Sequence, residues 1–256
     1  NIVAGANHTC ALLDDGSVIC WGANEYGQLG QDSLDAVGDG VGASVASTPV
    51  INLGAGSTAL ALAAGDAHTC AILDDYSVKC WGSAGNGRLG TNDTVDVGDG
   101  SGPTVASLAA VDLGTGRSAR AITAGAAHTC ALLDNSSVKC WGNGADGRLG
   151  YGNSNNQGDS AGEMGDALPA VSLGSGRTAL AISAGALHTC AVLDNATLKC
   201  WGSGANGRRG SDSTSFAGRS SGTMGDSLAI VAFSAGRTVS VVESTTTTTT
   251  TSTTTT

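Results

Sequence analysis

The chain has 256 residues, with 40 glycines, 4% aromatic side chains and a formal charge of −10. Small side chains and abundant turn formers argue against a helical bundle and predict short strands joined by tight connections, so the expected fold class is all-β. The acidic surface repels phosphate backbones and excludes nucleic acid as a partner, and no run approaches the roughly 18 apolar residues that span a bilayer, so no transmembrane segment is expected.

The chain opens at Asn1 without a charged leader, as expected of a mature, processed N-terminus. Ile2 and Val3 then begin a pattern that returns every sixty residues. The histidines are His8, His68, His128 and His188, and the tryptophans are Trp21, Trp81, Trp141 and Trp201. The cysteines keep the same period, at Cys10 and Cys20, Cys70 and Cys80, Cys130 and Cys140, Cys190 and Cys200. The pattern A-G-x-x-H-T-C-A-[LIV]-L-D-[DN]-x-[ST]-[VL]-x-C-W-G-x4-G-x-x-G runs through every copy without insertion. The expected organisation is a repeat domain over 1–243, in units of about 1–60, 61–120, 121–180 and 181–243, followed by a Thr-rich low-complexity tail over 244–256.

Within a unit, Leu60 and Leu62, matched later by Ile122 and Ile182, alternate with small residues and predict a first strand. The runs from His68 to Leu73 and from Val78 to Trp81, with Asp74, Asp75, Tyr76 and Ser77 between them, predict a hairpin. A polar, Gly-rich connection of about twenty residues follows, a length that points to a functional or disordered loop. Val111 and Leu113, matched by Ile51 and Leu53, Val171 and Leu173, and Val231 and Phe233, predict a fourth strand. A sheet of four short strands cannot bury both of its faces, so neighbouring units must pack on one another, around a ring or along a stack.

The residues from Trp21 to Gly30, W-G-x4-G-Q-L-G after a G-x-x-H-T-x-A-L hairpin, resemble the regulator of chromosome condensation repeat over about 240 residues. The resemblance implies a β-propeller-like array and a platform for protein binding. Two features depart from that family's familiar members: four units stand in place of seven, and the paired cysteines look like the variant of exported microbial repeat proteins. Nucleotide exchange and chromatin binding are therefore carried over to no residue.

Folding the first hairpin about Asp15 sets Leu12 opposite Val18 and Cys10 opposite Cys20, which permits one disulfide in each blade. Zinc ligation is the competing assignment, but zinc motifs space their cysteines two to four residues apart and need two further ligands. One cysteine pair per unit is the arithmetic of an oxidising compartment, so a secreted or cell-surface location is expected.

The four histidines form the one set with catalytic or ligand chemistry, and in a closed ring they would converge near its axis. Repetition in every copy instead favours a structural role in which a ring nitrogen satisfies a neighbouring backbone group. The tryptophans read likewise as blade-to-blade packing with a hydrogen-bonded indole. The chain lacks a nucleophile elbow and a phosphate loop, so no enzyme is expected. Asp93, Asp96 and Asp99 are candidate calcium ligands, although their spacing drifts between copies; no other cofactor is expected. Asn7, Asn92, Asn135 and Asn195 each open an N-glycosylation sequon, and the Thr run has the composition of a stalk carrying O-linked glycans.

Near the end, Thr238, Val239, Ser240, Val241 and Val242 repeat the first strand of a unit without a hairpin after it. This segment either closes a ring within the molecule or adds to the next subunit as an assembly strand, making a homo-oligomer or filament. The expected function is that of an extracellular structural repeat protein forming a surface coat or filament. A monomeric propeller presenting its long loops to a protein or glycan is the alternative.

Overall fold

In a computed structural model, which describes residues 1–234 and 237–241, the chain forms four three-stranded antiparallel sheets, one per unit. They comprise β1 (Ile2–Ala4), β2 (His8–Leu12) and β3 (Val18–Gly22); β4 (Ala59–Ala64), β5 (His68–Leu73) and β6 (Val78–Gly82); β7 (Ala119–Ala124), β8 (His128–Leu133) and β9 (Val138–Gly142); and β10 (Ala179–Gly185), β11 (His188–Leu193) and β12 (Leu198–Gly202). Among the described residues no helix is long and apolar enough to cross a membrane.

Each hairpin pairs in the register read from the sequence, Leu12 with Val18 and Cys10 with Cys20, and their counterparts follow. The facing cysteines lie 4.0–4.1 Å apart at Cα and are joined in four disulfides, with no free cysteine. The hairpin turn needs one left-handed residue. Gly16 supplies it in the first unit at φ 80°, but Tyr76, Ser136 and Ala196 hold the same slot at φ 64°, 63° and 60°. A side chain there costs about 1–2 kcal/mol, part of which glycine returns through its greater freedom when unfolded. Ala196→Gly is therefore expected to raise stability by roughly 0.5–1 kcal/mol, read as a higher urea midpoint with an unchanged slope.

The predicted fourth strand is a correction. Ile51, Val111, Val171 and Val231 do run beside β3, β6, β9 and β12, each donating one backbone bond of 2.8 Å to Val18, Val78, Val138 and Leu198, and the fourth segment adds one isolated bridge, Ile230 to Lys199. No ladder forms, because the segment is extended over too few residues before the chain turns to the next unit. Ile51, Leu53, Val111, Leu113, Val171 and Leu173 are nonetheless buried, so their alternation reports packing rather than pairing.

The long connections are pinned to the sheets. Val37, Val97, Gln157 and Ala217 each bridge to the glycine that ends the hairpin, Gly22, Gly82, Gly142 and Gly202. Asp93 accepts from the Val95 amide and Asp99 from the Ser101 amide, both within turns, while Asp96 accepts from the Ala84 amide and ties the connection back to the end of the hairpin. Among the described residues no group of three or more such side chains is placed to hold a metal ion. Of the expected assembly strand, Thr238 to Val241 take no strand pairing, and Val242 and the tail over 244–256 lie outside the described residues.

Candidate functional site: the joints between blades

Successive sheets pack in chain order, first on second, second on third, third on fourth. Because side chains alternate along a strand, each sheet offers two distinct faces. The face toward the following unit carries His8, Cys10, Val18 and Cys20 in the first unit; the face toward the preceding unit carries Thr69, Ala71, Leu73, Lys79 and Trp81 in the second. In the two middle units both faces are buried along the whole hairpin.

Every interior joint repeats one polar relay. Nε2 of His8, His68 and His128 lies 2.9 Å from Oγ1 of Thr69, Thr129 and Thr189 in the next unit. Those hydroxyls donate back to the carbonyls of Gln28, Arg88 and Arg148 at 2.9–3.0 Å. The indole N–H groups of Trp81, Trp141 and Trp201 donate to the same three carbonyls at 3.0–3.1 Å. Since each threonine proton is committed to a carbonyl, its lone pair must receive a proton from histidine, which fixes the neutral Nε2–H tautomer.

That tautomer leaves Nδ1 as an acceptor, and in all four histidines Nδ1 is buried without a partner among the described residues. Burial holds His8 down at about 4 and His128 down at about 3, the latter aided by the nearby Arg148 charge. His68, fully buried and beside Arg88, sits well below its ordinary value. The ring thus bonds a threonine hydroxyl that relays to the backbone, rather than bonding the backbone directly as expected from the sequence.

Two further elements tighten the joint. The ammonium groups of Lys79, Lys139 and Lys199 are buried and donate to the carbonyls of Leu53, Leu113 and Leu173, which end the preceding unit. Glycines allow close backbone approach: a Cβ on Gly5 would lie 2.3 Å from the Gly65 carbonyl, and one on Gly27 2.5 Å from the Asp99 amide.

The two ends of the array keep half of each feature. At the head, Thr9, Ala11, Ile19 and Trp21 are only half-buried, whereas Trp81, Trp141 and Trp201 are fully buried. At the tail, His188, Cys190, Val192 and Leu198 are half-buried, and His188 Nε2 has no threonine partner among the described residues. Gly207, the fourth counterpart of Gly27, has nothing within 4 Å of its Cβ position. Among the described residues the outer faces of the first and fourth units are therefore only half covered.

Two sequence signatures of the Regulator of chromosome condensation (RCC1) repeat match the chain, one at residues 1–28, 60–88, 119–148 and 180–208, the other at 15–72. Together they cover more than half of it. The chain belongs to the RCC1 repeat family. Its relatives include the human E3 ubiquitin-protein ligase HERC2, 28% identical over 84% of this chain and 4% of that protein. The Ultraviolet-B receptor UVR8 of Arabidopsis thaliana is 31% identical over 59% of this chain and 31% of its own length. Among solved structures, human WBSCR16 superposes with a TM-score of 0.66 at 17% identity, covering 91% of this chain and 52% of the other. Yeast RCC1 (Prp20), solved with Kap60, gives a TM-score of 0.66 at 21% identity, covering 86% of this chain and 47% of the other. The chain thus spans about half the length of these solved propellers and a smaller part of the curated relatives. The fold is that of RCC1-type β-propeller blades, here four small antiparallel sheets with one disulfide each.

The RCC1 repeats here carry disulfides that fit a non-reducing environment. Of the sequon asparagines, Asn7, Asn135 and Asn195 are exposed, while Asn92 is half-buried and its Oδ1 accepts from the Glu163 and Met164 amides of the next unit. Thr69, Thr129 and Thr189, and the three lysines, are joint residues that reading the sequence did not single out. The signal was present: threonine follows histidine in every copy, and lysine recurs in the second, third and fourth units, with Ile19 in the first.

Proposed function

We propose that the chain is an exported structural repeat protein that acts through protein–protein association, building a surface coat or filament from subunit contacts. The observation that supports this reading is the interior joint, made three times over by the same residues, by which one disulfide-bonded unit packs on the next. The repeat domain over 1–243 is the associating body, and the disulfides suit a secreted or cell-surface setting. Glycans would sit on Asn7, Asn135 and Asn195 and on the Thr run over 244–256. No catalytic role is assigned, since the histidines, threonines and lysines of the interior joints already bond one another and the backbone. Sedimentation and negative-stain imaging of the native, disulfide-bonded chain are expected to give particles heavier than 24.9 kDa. A single monomeric species at all concentrations overturns the structural reading.

That outcome would favour the second reading, a monomeric blade array binding a protein or glycan through its loops. Its support is an open cleft of about 580 Å³ between the loops of the third and fourth units, lined by Tyr151, Gln157, Pro169, Ser172 and Met224. Protein binding is common to both readings and agrees with the platform role that the family resemblance implies.

A further inference from the structure

We propose that the cleft between the loops of the third and fourth units is a binding site for an uncharged saccharide. The inference rests on the loop-binding reading above and names the chemical class of its ligand.

The site shows itself as a departure from the repeat. The corresponding cleft of the second unit is smaller, about 230 Å³, and its lining includes the carboxylates of Asp93 and Asp112. In the third unit those positions hold Asn153 and Ser172, and the cleft widens to about 580 Å³. The sharpest break is one residue. Val37, Val97 and Ala217 are buried where the long connection bridges to its hairpin, whereas the third unit places half-buried Gln157 there. Its side-chain amide makes no hydrogen bond among the described residues, so a polar group in a slot that three copies fill with apolar side chains gives up burial without a partner. Stability does not account for that choice, and Gln157 lines the cleft.

The floor is rigid and apolar. Tyr151 stands where the other units have Gln31, Thr91 and Ser211, and its hydroxyl donates to the Cys140 carbonyl at 2.8 Å while accepting from the Cys140 amide at 2.9 Å. The phenol oxygen is thus committed to the edge of β9, and the ring is what it offers to the cleft. Met224 reaches in from the fourth unit, its methyl carbon 3.1 Å from where a Cβ on Gly150 would lie. The polar groups above this floor are neutral. Gln157 is anchored by two backbone bonds to Gly142, at 2.8 and 3.1 Å. Asn153 spends Oδ1 on the Asn155 amide at 2.9 Å, which leaves Nδ2 to donate, and the Gln157 amide and Ser172 hydroxyl add donors and acceptors.

The lining selects the ligand. None of the described residues that line this cleft is charged, in a chain with 22 acidic and 12 basic side chains. An ionic ligand would lose hydration here without meeting a counter-charge. A wholly apolar one would leave the amides and the hydroxyl unpaired. A peptide added as a strand needs a free sheet edge, and at Cys140 the Tyr151 hydroxyl already takes both the amide and the carbonyl. A pyranose ring satisfies both halves of the site: its C–H face lies on the phenol ring and the Met224 methyl, and its hydroxyls donate to and accept from the neutral rim. The volume falls within the roughly 300–1,000 Å³ of small-ligand sites.

The test titrates the oxidised 256-residue chain with short neutral oligosaccharides of glucose, galactose, mannose, xylose and N-acetylglucosamine, and with oligogalacturonate as the charged counterpart. Calorimetry and saturation-transfer NMR read the binding. Two variants install residues that the second unit already holds, Gln157→Val as at Val97 and Asn153→Asp as at Asp93, and the latter keeps the turn acceptor. Circular dichroism and intact mass establish that each is folded with four disulfides. At least one neutral probe is expected to bind saturably and oligogalacturonate is not, and each variant is expected to weaken the neutral probe about 10-fold. If both variants bind that probe as tightly as the wild type, the cleft is the wrong site while the loop-binding reading stands. If oligogalacturonate alone binds, the uncharged class is refuted. If no sugar binds, the proposal falls, and the loop-binding reading is left to a protein ligand alone.

Discussion

Reduction of the four disulfides is expected to unfold the array at physiological temperature. Each bridge closes a ten-residue separation, and the chain-entropy relation assigns such a loop about 3 kcal/mol. Four of them sum to roughly 11 kcal/mol, which equals the whole stability of a typical domain. For a chain of this length that corresponds to a fall in the thermal midpoint on the order of 20 °C. The bridges matter because the core is thin. Cys10, Cys20, Cys70, Cys80, Cys130 and Cys140 are wholly buried and occupy the centre of each joint where a larger protein would place leucine. Reduction should not be uniform. Cys190 lies half-buried on the open tail face, so the Cys190–Cys200 bridge of the isolated chain is expected to open first, with the interior bridges following only after blades separate. Intact-mass measurement with timed alkylation reads both the order and the final gain of eight hydrogens. Simultaneous loss of all four bridges, or a reduced chain with an unchanged melting curve, would contradict this account.

The period and the hairpin register were legible in the sequence because both are local. A ten-residue spacing with strand formers on either side of an Asp-containing turn leaves one antiparallel register in which Cys10 faces Cys20. The fourth strand misled because alternation at Val111 and Leu113 is what any extended, half-covered segment produces, and its single bond to Val78 depends on how the preceding loop is routed. The joint was less legible still. The histidine–threonine contact spans 61 residues and the threonine–carbonyl contact 41, so periodicity shows that these residues recur without showing which copy meets which. The replacement of Lys79 by Ile19 in the first unit was the visible clue that this position makes a contact to another unit, since Lys79 bonds the Leu53 carbonyl across the joint.

Acidification alone should loosen the array through its buried histidines. Unfolded histidine takes up a proton near pH 6.5, whereas the folded chain holds His8 at about 4, His128 at about 3 and His68 well below its ordinary value. Between those limits the unfolded state binds more protons than the native one, so stability falls as pH falls, from about pH 6.5 downward. The loss approaches 1.4 kcal/mol per pH unit for each histidine, so by about pH 5 it reaches roughly 2 kcal/mol for each of the three interior joints. The structural cause is specific. Protonation puts a hydrogen on Nδ1, which is buried without an acceptor, while Nε2–H remains committed to threonine. Urea unfolding followed by indole fluorescence is expected to give a much lower midpoint at about pH 5 than at about pH 7.5. His128→Gln keeps an amide donor for Thr189 but has no proton to gain, so it should remove roughly a quarter to a third of the pH dependence, since His188 is also lowered by burial and adds to the three joints. A midpoint that does not move over that interval, or an unchanged slope in the glutamine variant, would show that the histidines carry protons inside the joints. Charged rings would still donate Nε2–H to threonine, so the relay would keep its sense and Nδ1–H would need a buried acceptor.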